Sequence, residues 1–239
     1  MTKNKEDVTL IGIIGAMDEE VELLKSKMNI KEHTVIAKSD FFRGELEGQE
    51  VVLLKSGIGK VNAALSTTVL FEKFQPEYVI NTGSAGGFHK DLEVGDIVVS
   101  SEVVHHDVDV TAFDYDYGQV PGLPATFQAD PVLIEKAMSA AKHLTDVQAM
   151  KGLISTGDTF MQDESKIAFV REKFPNLIAA EMEAAAIAQV CYQYETPFVV
   201  IRALSDIAGK ESSVSFDAFL TKAAENAANL IMNVVKHSN

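Results

Sequence analysis

Cysteine is nearly absent from this chain. Cys191 is the only one among 239 residues, which rules out an intrachain disulfide and a four-cysteine zinc site. Basic residues are also outnumbered: 21 Lys and Arg stand against 35 Asp and Glu, a net charge of −14. Proteins that bind nucleic-acid polymers neutralise phosphate with clustered cations, and no such cluster occurs here. The acidity favours solubility and disfavours a highly anionic substrate unless a local basic pocket receives it. No window approaches the run of about 20 apolar residues that a membrane span needs. Residues 1–7 are polar and charged, without the apolar segment of a secretory leader, and are expected to be flexible. A reducing cytoplasm is the expected compartment.

What is present is the composition of an ordinary globular protein, 46% hydrophobic and 23% charged. Without an internal repeat, low-complexity tract or linker, residues 1–239 are expected to form a single domain. Short apolar runs rich in Val and Ile predict strands at 8–14, 51–55, 78–81, 96–100, 150–155 and 198–204. They are often continuous rather than alternating, as in strands buried on both faces. Between them lie helix signals. Met17, Val21, Leu24 and Met28 form one apolar stripe. Residues 62–74 are rich in Ala and Leu and end before Pro76. Asp130 followed by Pro131 reads as an N-cap and first helical position, opening a helix through 142. Residues 182–192 and 216–236 complete the set. The alternation predicts an α/β sandwich, with helices on both faces of a largely parallel or mixed sheet. Residues 41–49 read as part of an antiparallel hairpin leading into 51–55. The stretch 103–128 is long and irregular, and loops of that length are usually functional or covered by a partner.

Glycines are expected to follow the first three parallel strands: Gly12 and Gly15, Gly57 and Gly59, then Gly83, Gly86 and Gly87. Ligands of α/β sheets bind at the carboxyl ends of strands, and glycine lets the backbone approach them closely. Each glycine can equally serve only a tight turn; three such turns in consecutive units favour a shared site. Named nucleotide motifs are absent. The run Gly57-Ile58-Gly59-Lys60-Val61 lacks the third glycine of the dinucleotide fingerprint and the Ser or Thr of a P-loop. Ser84 is not in a nucleophile elbow. The adjacent His105 and His106 cannot both ligate a metal from one helix face, and are expected at the surface or in hydrogen bonds.

Three carboxylates stand out. Glu20 sits beside the apolar stripe of the first helix, although acids in a first turn also complement the helix dipole. Glu183 precedes the small-residue run 184–188, whose helix can pack close to the sheet and enclose it. Asp206 falls at the carboxyl end of an apolar strand, where it can be functional or merely cap the next turn.

These residues together resemble the bacterial 5′-methylthioadenosine/S-adenosylhomocysteine nucleosidases of the nucleoside phosphorylase superfamily. The blocks that carry the likeness are 11–17 (Ile-Gly-Ile-Ile-Gly-Ala-Met), 55–64 (Lys-Ser-Gly-Ile-Gly-Lys-Val-Asn-Ala-Ala) and 81–87 (Asn-Thr-Gly-Ser-Ala-Gly-Gly). They continue through 109–113, 115–119, 181–184 (Glu-Met-Glu-Ala) and 202–206 (Arg-Ala-Leu-Ser-Asp). The resemblance spans nearly the whole chain and implies a three-layer α/β sandwich with a central mixed sheet. It implies hydrolysis of the N-glycosidic bond of 5′-methylthioadenosine, S-adenosylhomocysteine and 5′-deoxyadenosine, releasing adenine.

The resemblance also implies roles. Asp206 protonates adenine N7 and is oriented by Ser205. Glu20 activates the attacking water with Arg202 nearby, and Glu183 accepts hydrogen bonds from the ribose hydroxyls. Met182 lies against the sugar, Phe160 stacks on the base, and the main chain of Met161 reads its edge. Ser84 lies near the base and the water. Met17, Ile58 and Phe216 border the sugar and the 5′ tail. In a homodimer, Val110, Phe113 and Pro121 come from the partner subunit, within the 103–128 loop. No metal or organic cofactor is implied. Departures from the family pattern are a threonine that looks inserted in 155–161 (Ser-Thr-Gly-Asp-Thr-Phe-Met), Met161 in place of isoleucine, Ala185 in place of threonine, and His105 in place of an aromatic or basic residue. A nucleoside phosphorylase would need arginines at the glycine turns, which are missing. A non-catalytic nucleoside sensor would be expected to lack one of the carboxylates.

Overall fold

The β1 strand (Leu10–Gly15) runs parallel to β4 (Gln49–Lys55) on one side and β5 (Tyr78–Gly87) on the other, with Ile13 level with Leu53 and Ile80. The structure is a computed structural model describing residues 9–145, 147–210 and 212–237; the expectation for residues 1–7 lies outside them. Side chains alternate across these strands into two apolar layers. Ile11, Ile13, Val51 and Leu53 face one core, and Ile14, Val52 and Leu54 the other. Both faces are therefore buried, which is why the strands read as continuous apolar runs.

The first core is closed by α1 (Asp18–Lys27), α3 (Pro131–Ala141) and α6 (Ser212–Lys236). The second is closed by α2 (Lys60–Phe74) and α5 (Ala184–Gln193). Every alanine of 184–188 is buried, so α5 packs closely against the sheet. A third cluster surrounds Ile167 and Val170 of α4 (Glu164–Lys173).

The sheet is mixed, as expected, and half of it closes on itself. The β5 strand pairs in parallel with β10 (Phe198–Ile207), which pairs antiparallel with β6 (Ile97–His105). Next come β8 (Ala149–Thr156) and β9 (Leu177–Glu181), and β9 returns to β5 through Gly86 and Gly87. The open arm continues from β4 through β3 (Ser39–Leu46) to β2 (Asn29–Ile36), the first of these joints being the expected hairpin. A two-residue β7 (Phe127–Gln128) lies on β6.

Several expectations need correction. Gly12, Gly15, Gly83, Gly86 and Gly87 lie inside strands, not in turns after them. The 103–128 stretch begins and ends in strand pairing and contains a short 3-10 turn, Thr111–Phe113. It is anchored by Tyr117, whose hydroxyl donates to the His106 carbonyl and whose ring packs edge-on against Phe169. The β2, β9 and α4 elements had no expectation. His105 and His106 are hydrogen-bonded, to Gln189 and Ser155, yet buried rather than at the surface. Burial pushes both imidazoles below their usual range.

Candidate active site

A cavity of about 260 Å³ opens where β1, β9 and β10 end and β5 passes beneath them. Glu20, Glu181, Glu183 and Asp206 all line it, and among the described residues no Lys, Arg or His does.

Of the three acids that open α1, only Glu20 is buried. At the third helical position its carboxylate turns back over the helix start. There Oε2 accepts from the N–H groups of Ala16 and Met17, at 2.8 and 3.2 Å. Its other oxygen accepts from the Ser84 N–H at 2.9 Å and the Ser84 hydroxyl at 3.1 Å. The strand beneath is made of glycine for this purpose. A Cβ on Gly83 would lie 2.6 Å from Glu20 Oε1 and 2.1 Å from Arg202 Nη1.

Asp206 is aimed by an irregularity in the sheet. The pairing of β10 with β5 shifts register between Leu204 and Asp206, a bulge that brings Asp206 level with Gly86. Its Oδ2 sits where a Cβ on Gly86 would be only 3.1 Å away, and the Ser205 hydroxyl donates to Oδ1 at 2.9 Å.

Glu183 is the N-cap residue of α5, and its Oε1 accepts from the Gly59 N–H at 2.9 Å. Burial, then the neighbouring Glu181 charge, pushes its pKa up to about 8 against the opposing pull of Arg202. Arg202 is fully buried behind the cavity wall. Its Nη2 donates to Glu181, to Asn81 Oδ1 at 2.9 Å and, weakly, to Glu183 at 3.4 Å. Burial alone would lower its pKa; the carboxylates Glu181, Glu183 and Glu20 outweigh that and raise it.

Met17, Ile58, Ser84, Phe160, Met182, Ser205 and Phe216 also line the wall, with Phe160 and Phe216 meeting edge-on at 5.7 Å. Met161 does not line the cavity; its side chain is buried in the third cluster with Phe88 and Ile167. Val110, Phe113 and Pro121 do not line it either, and Phe113 is 75% exposed.

Sequence inspection missed Glu181 as a separate actor, together with Thr156 and Asn81. The hydroxyl of Thr156, the residue that looked inserted, bonds to Glu181 and accepts from the Ala185 N–H at 2.8 Å. It thus ties β8 to the start of α5. Asn81 joins Arg202 to the Ile14 carbonyl. Among the described residues no cluster of His, Cys, Asp or Glu has the makings of a metal site, and no helix is long and apolar enough to cross a membrane.

Residues 10–236 match the phosphorylase superfamily. A 5′-methylthioadenosine/S-adenosylhomocysteine nucleosidase of Geobacillus sp. (strain WCH70) is 62% identical over 225 residues, 94% of this chain and 97% of that protein. Two crystal structures of nucleosidases of that name are closely similar. The one from Neisseria meningitidis, in complex with methylthio-immucillin-A, is 49% identical with a TM-score of 0.93, covering 95% of this chain and 99% of that one. The one from Colwellia psychrerythraea 34H, in complex with adenine, is 52% identical with a TM-score of 0.94, covering 96% of this chain and 95% of that one.

Proposed function

This chain belongs to the phosphorylase superfamily and, within it, to the 5′-methylthioadenosine/S-adenosylhomocysteine nucleosidases, and from that membership we propose what each cavity residue does. The enzyme hydrolyses the N-glycosidic bond of both nucleosides and releases adenine. 5′-Deoxyadenosine is a third substrate, since its smaller 5′ group fits within the same border of Met17, Ile58 and Phe216.

As the bond between C1′ and N9 breaks, its electron pair moves onto the base. Asp206 delivers a proton to N7 and makes adenine a neutral leaving group. Ser205 holds the acid in place. Positive charge grows on the ribose and faces the acidic wall, where the Glu183 carboxyl engages the ribose hydroxyls. Water bonds to C1′ and gives its proton to Glu20, which the N–H groups of Ala16, Met17 and Ser84 hold rigidly. Phe160 stacks on the base, the Met161 main chain reads its edge, and Met182 lies against the sugar. Arg202 acts from behind the wall by orienting carboxylates.

The observation that carries this assignment is a cavity lined by four acidic side chains and, among the described residues, by no cationic one. A phosphate nucleophile would be repelled there, whereas water would be activated. The test is 5′-methylthioadenosine incubated with and without phosphate. Adenine and 5-methylthioribose are expected at equal rates in both; a ribose 1-phosphate product would overturn the hydrolytic assignment. Adenine release from 5′-deoxyadenosine tests the third substrate, and none would remove it.

The working unit is a homodimer in which Val110, Phe113 and Pro121 of each chain border the 5′ pocket of the other. Supporting this, Phe113 is exposed, as are Val61 and Leu65, which share one face of α2. The cytoplasm is its compartment.

A further inference from the structure

The N-terminus of α2 has no cap of its own: Gly59 precedes it, and its first turn holds no acid. Orphan N–H groups at such an end need acceptors. Two carboxylates from distant parts of the chain supply them. Glu183 takes the Gly59 N–H at 2.9 Å, and Asp158 Oδ1 takes the Lys60 N–H at 2.8 Å. Asp158 is itself fixed, its N–H donating to Asp107 Oδ2 at 3.0 Å. Asp107 Oδ1 then accepts from Lys60 Nζ at 2.5 Å, which closes the circuit. Burial pushes the Asp107 carboxyl up, but Lys60 and the Asp158 N–H outweigh it and hold it low. The circuit joins the start of α2, the loop after β6 and the loop after β8. Ile58 and Phe160, both in the cavity wall, each lie two residues from one of its members.

We propose that Asp158, locked by Asp107 and Lys60, is a positioning residue that holds the Gly59 N–H against Glu183. The proposal rests on Glu183 being part of the reacting site. A partly exposed ion pair adds little stability. Charge-assisted bonds to backbone N–H groups do fix geometry, and small misplacements in an active site are costly.

The test is a double-mutant cycle in kcat/KM for 5′-methylthioadenosine, with thermal midpoints recorded for each variant. Asp158→Ala is expected to cost about tenfold in the wild-type background. In a Glu183→Ala background it should cost less than about twofold, because the group it acts through is gone. Asp158→Asn retains an acceptor oxygen for the Lys60 N–H and should restore most of the loss. Equal losses in the two backgrounds would overturn the proposal. Should Asp158→Ala fail to fold, Lys60→Met removes the ammonium while keeping the backbone bond. It should give a smaller loss that again vanishes without Glu183, and additivity there would be just as contrary. The ribose-holding role of Glu183 is read separately, by comparing Glu183→Ala on 5′-methylthioadenosine and its 3′-deoxy analogue. Unchanged selectivity there would remove that role while the cycle still decides the clamp.

Discussion

Glu181 Oε2 receives the Arg202 guanidinium and also the N–H groups of Glu183 and Ala184, at 2.9 and 2.8 Å. One carboxylate oxygen therefore joins β10 to the first turn of α5 and sets where Glu183 can stand. Both members of the ion pair are buried, so removing one leaves an uncompensated charge. Glu181→Ala is expected to lower stability by about 3–5 kcal/mol, measured by urea unfolding. A loss below about 1 kcal/mol would mean that Asn81 and Glu183 suffice to hold Arg202.

Much of this was visible in the sequence, for physical reasons. Strands buried on both faces leave continuous Val and Ile runs, and β1, β4, β5, β6, β8 and β10 were each anticipated in part. The β2 strand was not, because it is an edge strand whose residues are mostly exposed and carry no apolar pattern. The α4 helix buries only Ile167 and Val170, too few for a stripe, although its N-cap Asp163 was a usable signal. Glu20, Glu183 and Asp206 could be singled out because they adjoin apolar runs at strand or helix ends. Glu181 was hidden by its neighbour, and only the ending of β9 at Glu181 shows that it turns toward Arg202. Asp107 and Asp158 meet Lys60 across 47 and 98 residues of chain, a proximity no local pattern encodes.

The raised pKa of Glu183 carries a sign. From about pH 4.5 to about 8 the folded chain retains a proton on Glu183 that the unfolded chain has released. Stability contributed by that proton is therefore lost as pH rises through the window. Glu183→Gln does not titrate and should show a flatter fall of the urea midpoint between about pH 5 and about pH 8. Identical slopes for the two proteins would contradict the shift.

Gly83 is the floor on which Glu20 and Arg202 approach each other. In Gly83→Ala the new methyl collides with both, at 2.6 and 2.1 Å. The expected outcome is a destabilisation of about 1–3 kcal/mol together with a marked fall in adenine release, since Glu20 must move. Thermal denaturation and a turnover assay check it; near-normal activity would show that Glu20 has room to spare.

Phe113 tests the shared pocket. Phe113→Ala should raise KM for 5′-alkylthio substrates and weaken the dimer, seen by sedimentation at falling protein concentration. Unchanged sedimentation with an unchanged KM would remove the proposed shared pocket.

Asp206 as the acid is the centre of the account. Asp206→Asn keeps the size of the side chain and an acceptor for the Ser205 hydroxyl, so the fold should be retained. Adenine release from 5′-methylthioadenosine, followed in a single turnover at saturating substrate, measures the chemical step directly. Loss of a positioned acid predicts a rate lower by about 10²–10⁴-fold with substrate still bound. A rate within a few-fold of the unaltered enzyme would contradict the assignment, whatever the other variants show.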